Sequence, residues 1–171
     1  MKSDPPKVYW DSCVFIDYID QQQNPDRILN ILAVWEAARN RDVTIHTSMV
    51  SIVEVAYFVE EKTRGMKPES ETKLDALWFG SPVIMSEVSP LVARDARGLV
   101  RRSIQDQQKM APMDAVHLAT AKRLGVGVVH TYDGSLTKYS SYIGVPIEEP
   151  SAAAPFLSNG SGSVAWPSPQ E

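Results

Sequence analysis

The sequence has little cysteine and no long apolar segment. Cys13 is the single cysteine among 171 residues, so a disulfide within the chain is excluded and a reducing, cytoplasmic setting is expected. No apolar run approaches the roughly 20 residues that cross a bilayer. An acid and two prolines near the N-terminus occupy positions where a signal peptide needs an uninterrupted apolar stretch. We therefore expect a soluble protein that is not exported.

The chain also lacks an excess of basic residues. Its formal net charge is −4 and its pI is near 5.4, whereas proteins that hold nucleic acid by bulk attraction are normally basic. An RNA-binding role for this chain therefore requires a local basic patch, bound metal ions, or both. Hydrophobic residues make up 43% of the sequence, which is typical of a globular protein with a core.

The order of the predicted elements indicates an α/β fold. Strands are predicted at 7–10, 42–47, 82–85 and 126–131, with a weak edge strand at 145–147. Helical patterns lie between them, including one continuous helix from about 48 to 63. This alternation favours a mainly parallel central sheet. We divide the chain into a domain at 1–149 and a flexible Ser/Gly/Pro-rich tail at 150–171.

Four acidic residues fall where such a sheet would collect them. Asp11 and Asp133 follow the first and fourth predicted strands, Glu54 lies in the helix after the second, and Asp114 lies in the first turn of a later helix. Carboxylates and water are the ligands that Mg²⁺ and Mn²⁺ prefer. Each acid also has a structural explanation as a helix cap, a first-turn residue or a turn residue, and sequence order alone leaves both interpretations open.

Four segments resemble the PIN-domain nucleases. Residues 8–16 (VYWDSCVFI) are similar to the opening strand of that family, and residues 47–54 (TSMVSIVE) to the segment that ends in its second acid. Residues 112–121 (PMDAVHLATA) are the most specific match, and residues 128–133 (VVHTYD) resemble the strand that leads to the fourth acid. The acids occur in the family's order, and the match covers most of 7–149.

The resemblance implies a three-layer α/β/α sandwich and Mg²⁺- or Mn²⁺-dependent endoribonuclease activity. Asp11, Glu54, Asp114 and Asp133 would be catalytic residues and metal ligands of a two-metal-type site, where they orient or activate the attacking water. Ser12 and Thr131 would support them.

Small bacterial members are often VapC-like toxins, which form dimers and are inhibited by an antitoxin. We expect an RNA substrate, an antitoxin partner and a homodimer. Two departures stand out: Cys13 occupies a position where the family often has Asn or Ser, and the tail is not part of the family core.

Further residues are candidates for substrate binding. His117 follows Asp114 on the same helical face, and Arg94, Arg97 and Arg101 recur along one predicted helix. The same patterns are also explained structurally, by a helix histidine that makes its hydrogen bonds within the protein and by arginines on a solvent-exposed helix face. A housekeeping RNA-processing nuclease and a catalytically silent binding module of the same fold also stay open.

Overall fold

Five parallel strands form the central sheet of this computed structural model, which describes residues 4–20 and 24–151. The strand order is β3-β2-β1-β4-β5. The strands are β1 Lys7–Trp10, β2 Thr44–Ser48, β3 Val83–Ser86, β4 Val128–His130 and β5 Ile147–Glu148. All but the first two residues of the predicted tail lie outside the described residues.

The helices fill the connections between these strands. They are α1 Ser12–Ile19, α2 Pro25–Arg39, α3 Val50–Glu54, α4 Glu61–Arg64, α5 Pro68–Phe79, α6 Pro90–Gln105, α7 Pro112–Leu124 and α8 Ser140–Ile143, with a 3₁₀ turn at Thr137–Tyr139. Asn24 and Ser89 cap α2 and α6 with side-chain oxygens, as helix N-termini require. Within the described ranges, no helix is long and apolar enough to cross a membrane.

The two faces of the sheet carry separate apolar cores. Val8 and Trp10 of β1 face the core that α1, α2 and α5 cover, whereas Tyr9 faces the core of α6, α7 and α8. Neighbouring residues in β4 are divided in the same way, because successive side chains of a strand point to opposite faces. The predicted α/β/α three-layer sandwich with a parallel sheet is confirmed.

The strand order reverses beside the central strand. The chain moves from β1 outward to β2 and β3, and then returns to place β4 on the other side of β1. The connections that leave β1 and β4 at their carboxyl ends therefore diverge, and this topology predicts a crevice between them. In open parallel sheets such a crevice is the usual place for a ligand site.

The continuous helix predicted from about 48 to 63 is wrong. The structure ends α3 at Glu54, and a short helix resumes only at Glu61. The Glu61 side chain is 5% exposed, and its two carboxylate oxygens accept the backbone N–H groups of Phe58 and Lys67 at 2.9 Å each. These bonds satisfy backbone groups outside a helix, so the segment folds as a loop around one buried carboxylate.

Replacing two glycines by alanine distinguishes the effect of helix propensity from the effect of backbone strain. Gly98 lies within α6, whereas Gly125 ends α7 at φ +62°, and a Cβ at either position would meet open space. We expect Gly98→Ala to raise the free energy of unfolding by about 0.5–1 kcal/mol and Gly125→Ala to lower it by about 1–2 kcal/mol. Urea unfolding measures both, and shifts of the same sign would contradict the assigned backbone conformations.

A buried histidine predicts acid sensitivity. His130 is fully buried in β4 and accepts a hydrogen bond from the Trp10 indole at 3.1 Å, and burial lowers its pKa to about 3. As the pH falls below about 6.5, the unfolded chain takes up a proton that the folded chain refuses, so folding stability decreases by up to about 1.4 kcal/mol per pH unit.

We expect this loss of stability between pH 6.5 and pH 3, and a shallower dependence in His130→Gln. Thermal unfolding of both proteins across that range measures the difference. Parallel curves for the two proteins would show that His130 does not cause the acid sensitivity.

Candidate active site

Asp11 lies directly after the central strand and is almost fully buried. It caps α1 by accepting the backbone N–H of Cys13 at 3.1 Å, and its side chain is 4% exposed. Burial raises the pKa of Asp11, although hydrogen bonds from Cys13 and Thr131 oppose that effect. The structural interpretation of Asp11 as a cap is thus correct, and the same carboxylate also lies at the mouth of the crevice.

Thr131 connects Asp11 to Asp133 across the switch between β1 and β4. Its hydroxyl donates to Asp11 Oδ2 at 2.6 Å and accepts the backbone N–H of Asp133 at 2.9 Å. Asp133 itself is exposed, and its carboxylate also accepts the backbone N–H of Ser135 at 2.8 Å. One buried hydroxyl therefore fixes the relative position of two of the four acids.

The Cys13 thiol is a polar member of this cluster. Sγ lies 2.8 Å from Asp11 Oδ1, to which it donates, and it accepts the backbone N–H of Tyr132 at 3.0 Å. Burial and the neighbouring Asp11 raise the pKa of the thiol, so it stays protonated. At this position, where PIN-domain nucleases often have Asn or Ser, Cys13 therefore supplies a small polar group, with sulfur in place of oxygen or nitrogen.

Glu54 is held from two directions. His117 Nε2 lies 2.7 Å from Glu54 Oε2, and the Ser12 hydroxyl also hydrogen-bonds to this carboxylate. Partial burial acts to raise the pKa of Glu54, but the hydrogen bonds of His117 and Ser12 outweigh it and leave the pKa below its ordinary value. The alternative capping-box role is not formed, because Glu54 ends α3 and the Ser51 hydroxyl pairs with Thr47 at 2.8 Å.

Asp114 lies in the first turn of α7 and is partly buried. Burial raises its pKa, and the negative charges of Asp133, Asp11 and Glu54 raise it further. All four acids predicted from the sequence therefore contribute to one electrostatic field, although they come from separate parts of the chain. A cation in this field would relieve the repulsion among them.

The residues suit a divalent cation in chemistry and in charge. Their donors are carboxylate oxygens with supporting hydroxyls, which match the preference of Mg²⁺ and Mn²⁺. Burial raises the pKa of Asp114 most, and the charges of Asp133, Asp11 and Glu54 add to that effect. Over residues 4–20 and 24–151, no three His, Cys, Asp or Glu side chains lie close enough together to hold an ion between them. The described site therefore supplies potential ligands, but they do not surround a common position for an ion.

The remaining candidates lie in two different environments. His117 is 3% exposed, and its Nδ1 lies 2.8 Å from the Tyr9 hydroxyl. Arg94, Arg97 and Arg101 are exposed on α6, and within the described residues none of them forms an ion pair. They share one helical face, because positions three and seven residues apart lie one above the other.

Cys13 and Tyr9 were not predicted as part of the network around the acids. Cys13 lies in an apolar run, which favours a small core residue, and the pattern around Tyr9 is typical of a core strand. Tyr9 and His117 are 108 positions apart in the chain, and no local pattern joins them. The position of Cys13, two residues after Asp11 at a helix start, was the available signal.

Solved structures share this fold at low sequence identity. VapC20 of Mycobacterium tuberculosis, described as a sarcin-ricin loop cleaving toxin, matches with a TM-score of 0.60 and 14% identity over 77% of this chain and 93% of its own. VapBC2 of Rickettsia felis, bound to a promoter DNA fragment, matches with a TM-score of 0.62 and 17% identity over 84% and 98%. DNA-bound VapBC of Salmonella typhimurium gives 0.60 and 19% over 84% and 98%.

No curated protein matches the sequence. The family model of the PIN domain matches residues 8–141, which is most of the chain and includes all four acids. The order of the acids, the parallel sheet and this match agree, and the chain belongs to the PIN-domain family.

Proposed function

We propose that this protein is a metal-dependent endoribonuclease that hydrolyses RNA phosphodiester bonds at Asp11, Glu54, Asp114 and Asp133. The observation that supports it best is the shared electrostatic field of these acids at the carboxyl edge of the sheet, where Asp133, Asp11 and Glu54 raise the pKa of Asp114. A structural role for each acid in isolation does not require such a concentration of negative charge.

We assign different roles to the four acids according to their environments. Asp11 is buried and fixed by Thr131 and Cys13, so it serves as a rigid ligand. Glu54 is kept ionised by its hydrogen bonds and serves as a second ligand. Mg²⁺ or Mn²⁺ bound here would neutralise charge on the scissile phosphate and lower the pKa of a water molecule.

Asp114 and Asp133 are suited to orienting or activating that water molecule. Asp114 is partly buried in the first turn of α7 within the field of Asp133, Asp11 and Glu54, where its carboxylate would orient or activate the water. Asp133 is exposed and bound through its own backbone N–H to Thr131, which holds its carboxylate at the rim of the crevice where substrate enters. Ser12 and Thr131 support the acids by donating to Glu54 and Asp11.

We further propose that the protein is a cytoplasmic toxin of a type II toxin–antitoxin pair, that it forms a homodimer, and that an antitoxin protein inhibits it. The support is the likeness of its fold to VapC20, which is described as a toxin, and to VapBC assemblies. Co-expression with the product of a neighbouring small gene, followed by co-purification and an RNase assay, tests this role.

The central prediction concerns Asp114. We expect purified protein to cut an RNA pool with Mn²⁺ or Mg²⁺, to stop in EDTA, and to lose at least about 100-fold in rate in Asp114→Asn, because the variant removes a charge needed for binding the ion and for accepting the proton. Gel analysis of a pool with single-stranded and structured RNA measures the rate.

Asp75→Asn is the matched control. Asp75 is an exposed acid of α5, and its replacement changes the net charge equally without touching the site. Cleavage that persists in EDTA or in Asp114→Asn would refute the assigned chemistry, and Mn²⁺ binding without cleavage of any RNA would favour a silent binding module.

A second prediction concerns Arg94, Arg97 and Arg101. If their shared face contacts the RNA backbone, replacing all three by Gln reduces RNA affinity. It also reduces the salt dependence of binding: the slope of log binding constant against log salt concentration becomes less steep by up to about one unit for each phosphate that is no longer neutralised. Binding is measured with Asp114→Asn protein so that the RNA stays intact. The control is Arg39→Gln/Arg41→Gln/Lys73→Gln, which removes the same charge from exposed positions outside α6; an equal loss of affinity in both proteins would show a bulk charge effect only.

A further inference from the structure

Three residues form a hydrogen-bonded chain that leads from the sheet core into the acidic site. Tyr9 of β1 is fully buried, and its hydroxyl lies 2.8 Å from Nδ1 of His117 on α7. His117 Nε2 lies 2.7 Å from Oε2 of Glu54 on α3. His117 is itself 3% exposed, so both ring nitrogens are used inside the protein.

The chemistry of the three groups determines which atom donates and which accepts in each hydrogen bond. An ionised carboxylate only accepts hydrogen bonds, so the hydrogen of the ring is on Nε2 and points at Glu54. In the neutral imidazole Nδ1 then accepts, and the Tyr9 hydroxyl donates to it. The Thr47 side chain and the backbone of Ser48 also hydrogen-bond to the Tyr9 oxygen, so Tyr9 is held on several sides where it meets the ring.

The same helix carries another acid of the site. Asp114 precedes His117 by three residues on α7, and such residues lie on one face of a helix. The bond from His117 to Glu54 therefore sets the distance between α7 and α3, and with it the separation of the Asp114 and Glu54 carboxylates. The ring contact of His117 with Tyr9, at 5.8 Å between centroids and 73° between planes, restricts rotation of the imidazole.

We propose that Tyr9 and His117 are positioning residues, which hold the Glu54 carboxylate at the place and in the orientation that a divalent cation requires. This inference rests on the proposed function and assigns a role to two buried residues that contact neither substrate nor metal. Hydrogen-bond partners of metal ligands commonly act in this way, and their removal typically lowers metal affinity or activity about 10- to 100-fold.

The test is Mn²⁺ binding by calorimetry with four variants and the wild type. We expect His117→Leu to weaken binding about 10-fold or more and Tyr9→Phe about 3- to 10-fold, because each removes one link of the hydrogen-bonded chain. His117→Gln restores an N–H donor at the Nε2 position and is expected to stay within about 3-fold of wild type. Tyr139→Phe is the matched control: Tyr139 is also buried, and no other described residue bonds to its hydroxyl.

Thermal unfolding without metal shows whether each variant is folded, and the comparison between Leu and Gln at position 117 separates removal of the donor from a packing defect. Nitrogen NMR of the histidine ring at pH 8, without metal, is expected to show the hydrogen on Nε2. A hydrogen on Nδ1, or Mn²⁺ affinity unchanged in both His117→Leu and Tyr9→Phe, would overturn the positioning role. Absence of Mn²⁺ binding in the wild type would instead refute the proposed function.

Discussion

The site depends on the burial of one carboxylate at the end of the central strand. Asp11 is 4% exposed, and a buried carboxylate is costly unless hydrogen bonds replace its bound water. The donors are the backbone N–H and the thiol of Cys13 and the hydroxyl of Thr131. They belong to the start of α1 and to the loop after β4, so satisfying this single side chain requires both connections to close around it.

Local patterns were sufficient to predict the alternating strands and helices, a mainly parallel sheet and most element boundaries, whereas the three-layer arrangement was implied by the family resemblance. The alternation of Val8, Tyr9 and Trp10 between two cores is a property of any strand buried on both faces. Pro90 and Pro112 begin α6 and α7, and Gly125 ends α7 with a positive φ. Because each of these signals acts on its own neighbourhood, the sequence alone indicates where the elements are and hence the order of the acids along the sheet edge.

What the sequence could not show depends on contacts between distant residues. The helix expected to continue past Glu54 ends there, and the Glu61 carboxylate accepts the backbone N–H of Phe58, which a continuous helix would bond to the carbonyl of Glu54. His117 is a helix residue by pattern, and its partners Tyr9 and Glu54 come from two other elements. The polar role of Cys13 appears only when Tyr132 and Asp11 are brought against its sulfur.

Glu61 has a consequence for how proteins with this architecture diverge. Its carboxylate binds main-chain groups of Phe58 and Lys67, which fixes the path of residues 62–66 from the inside, while Gly65 makes a turn at φ +84°. All five of these residues are exposed. Such a loop, a few residues downstream of Glu54, tolerates substitution of its exposed side chains other than Gly65, so the surface beside the candidate site can vary while the acids keep their places.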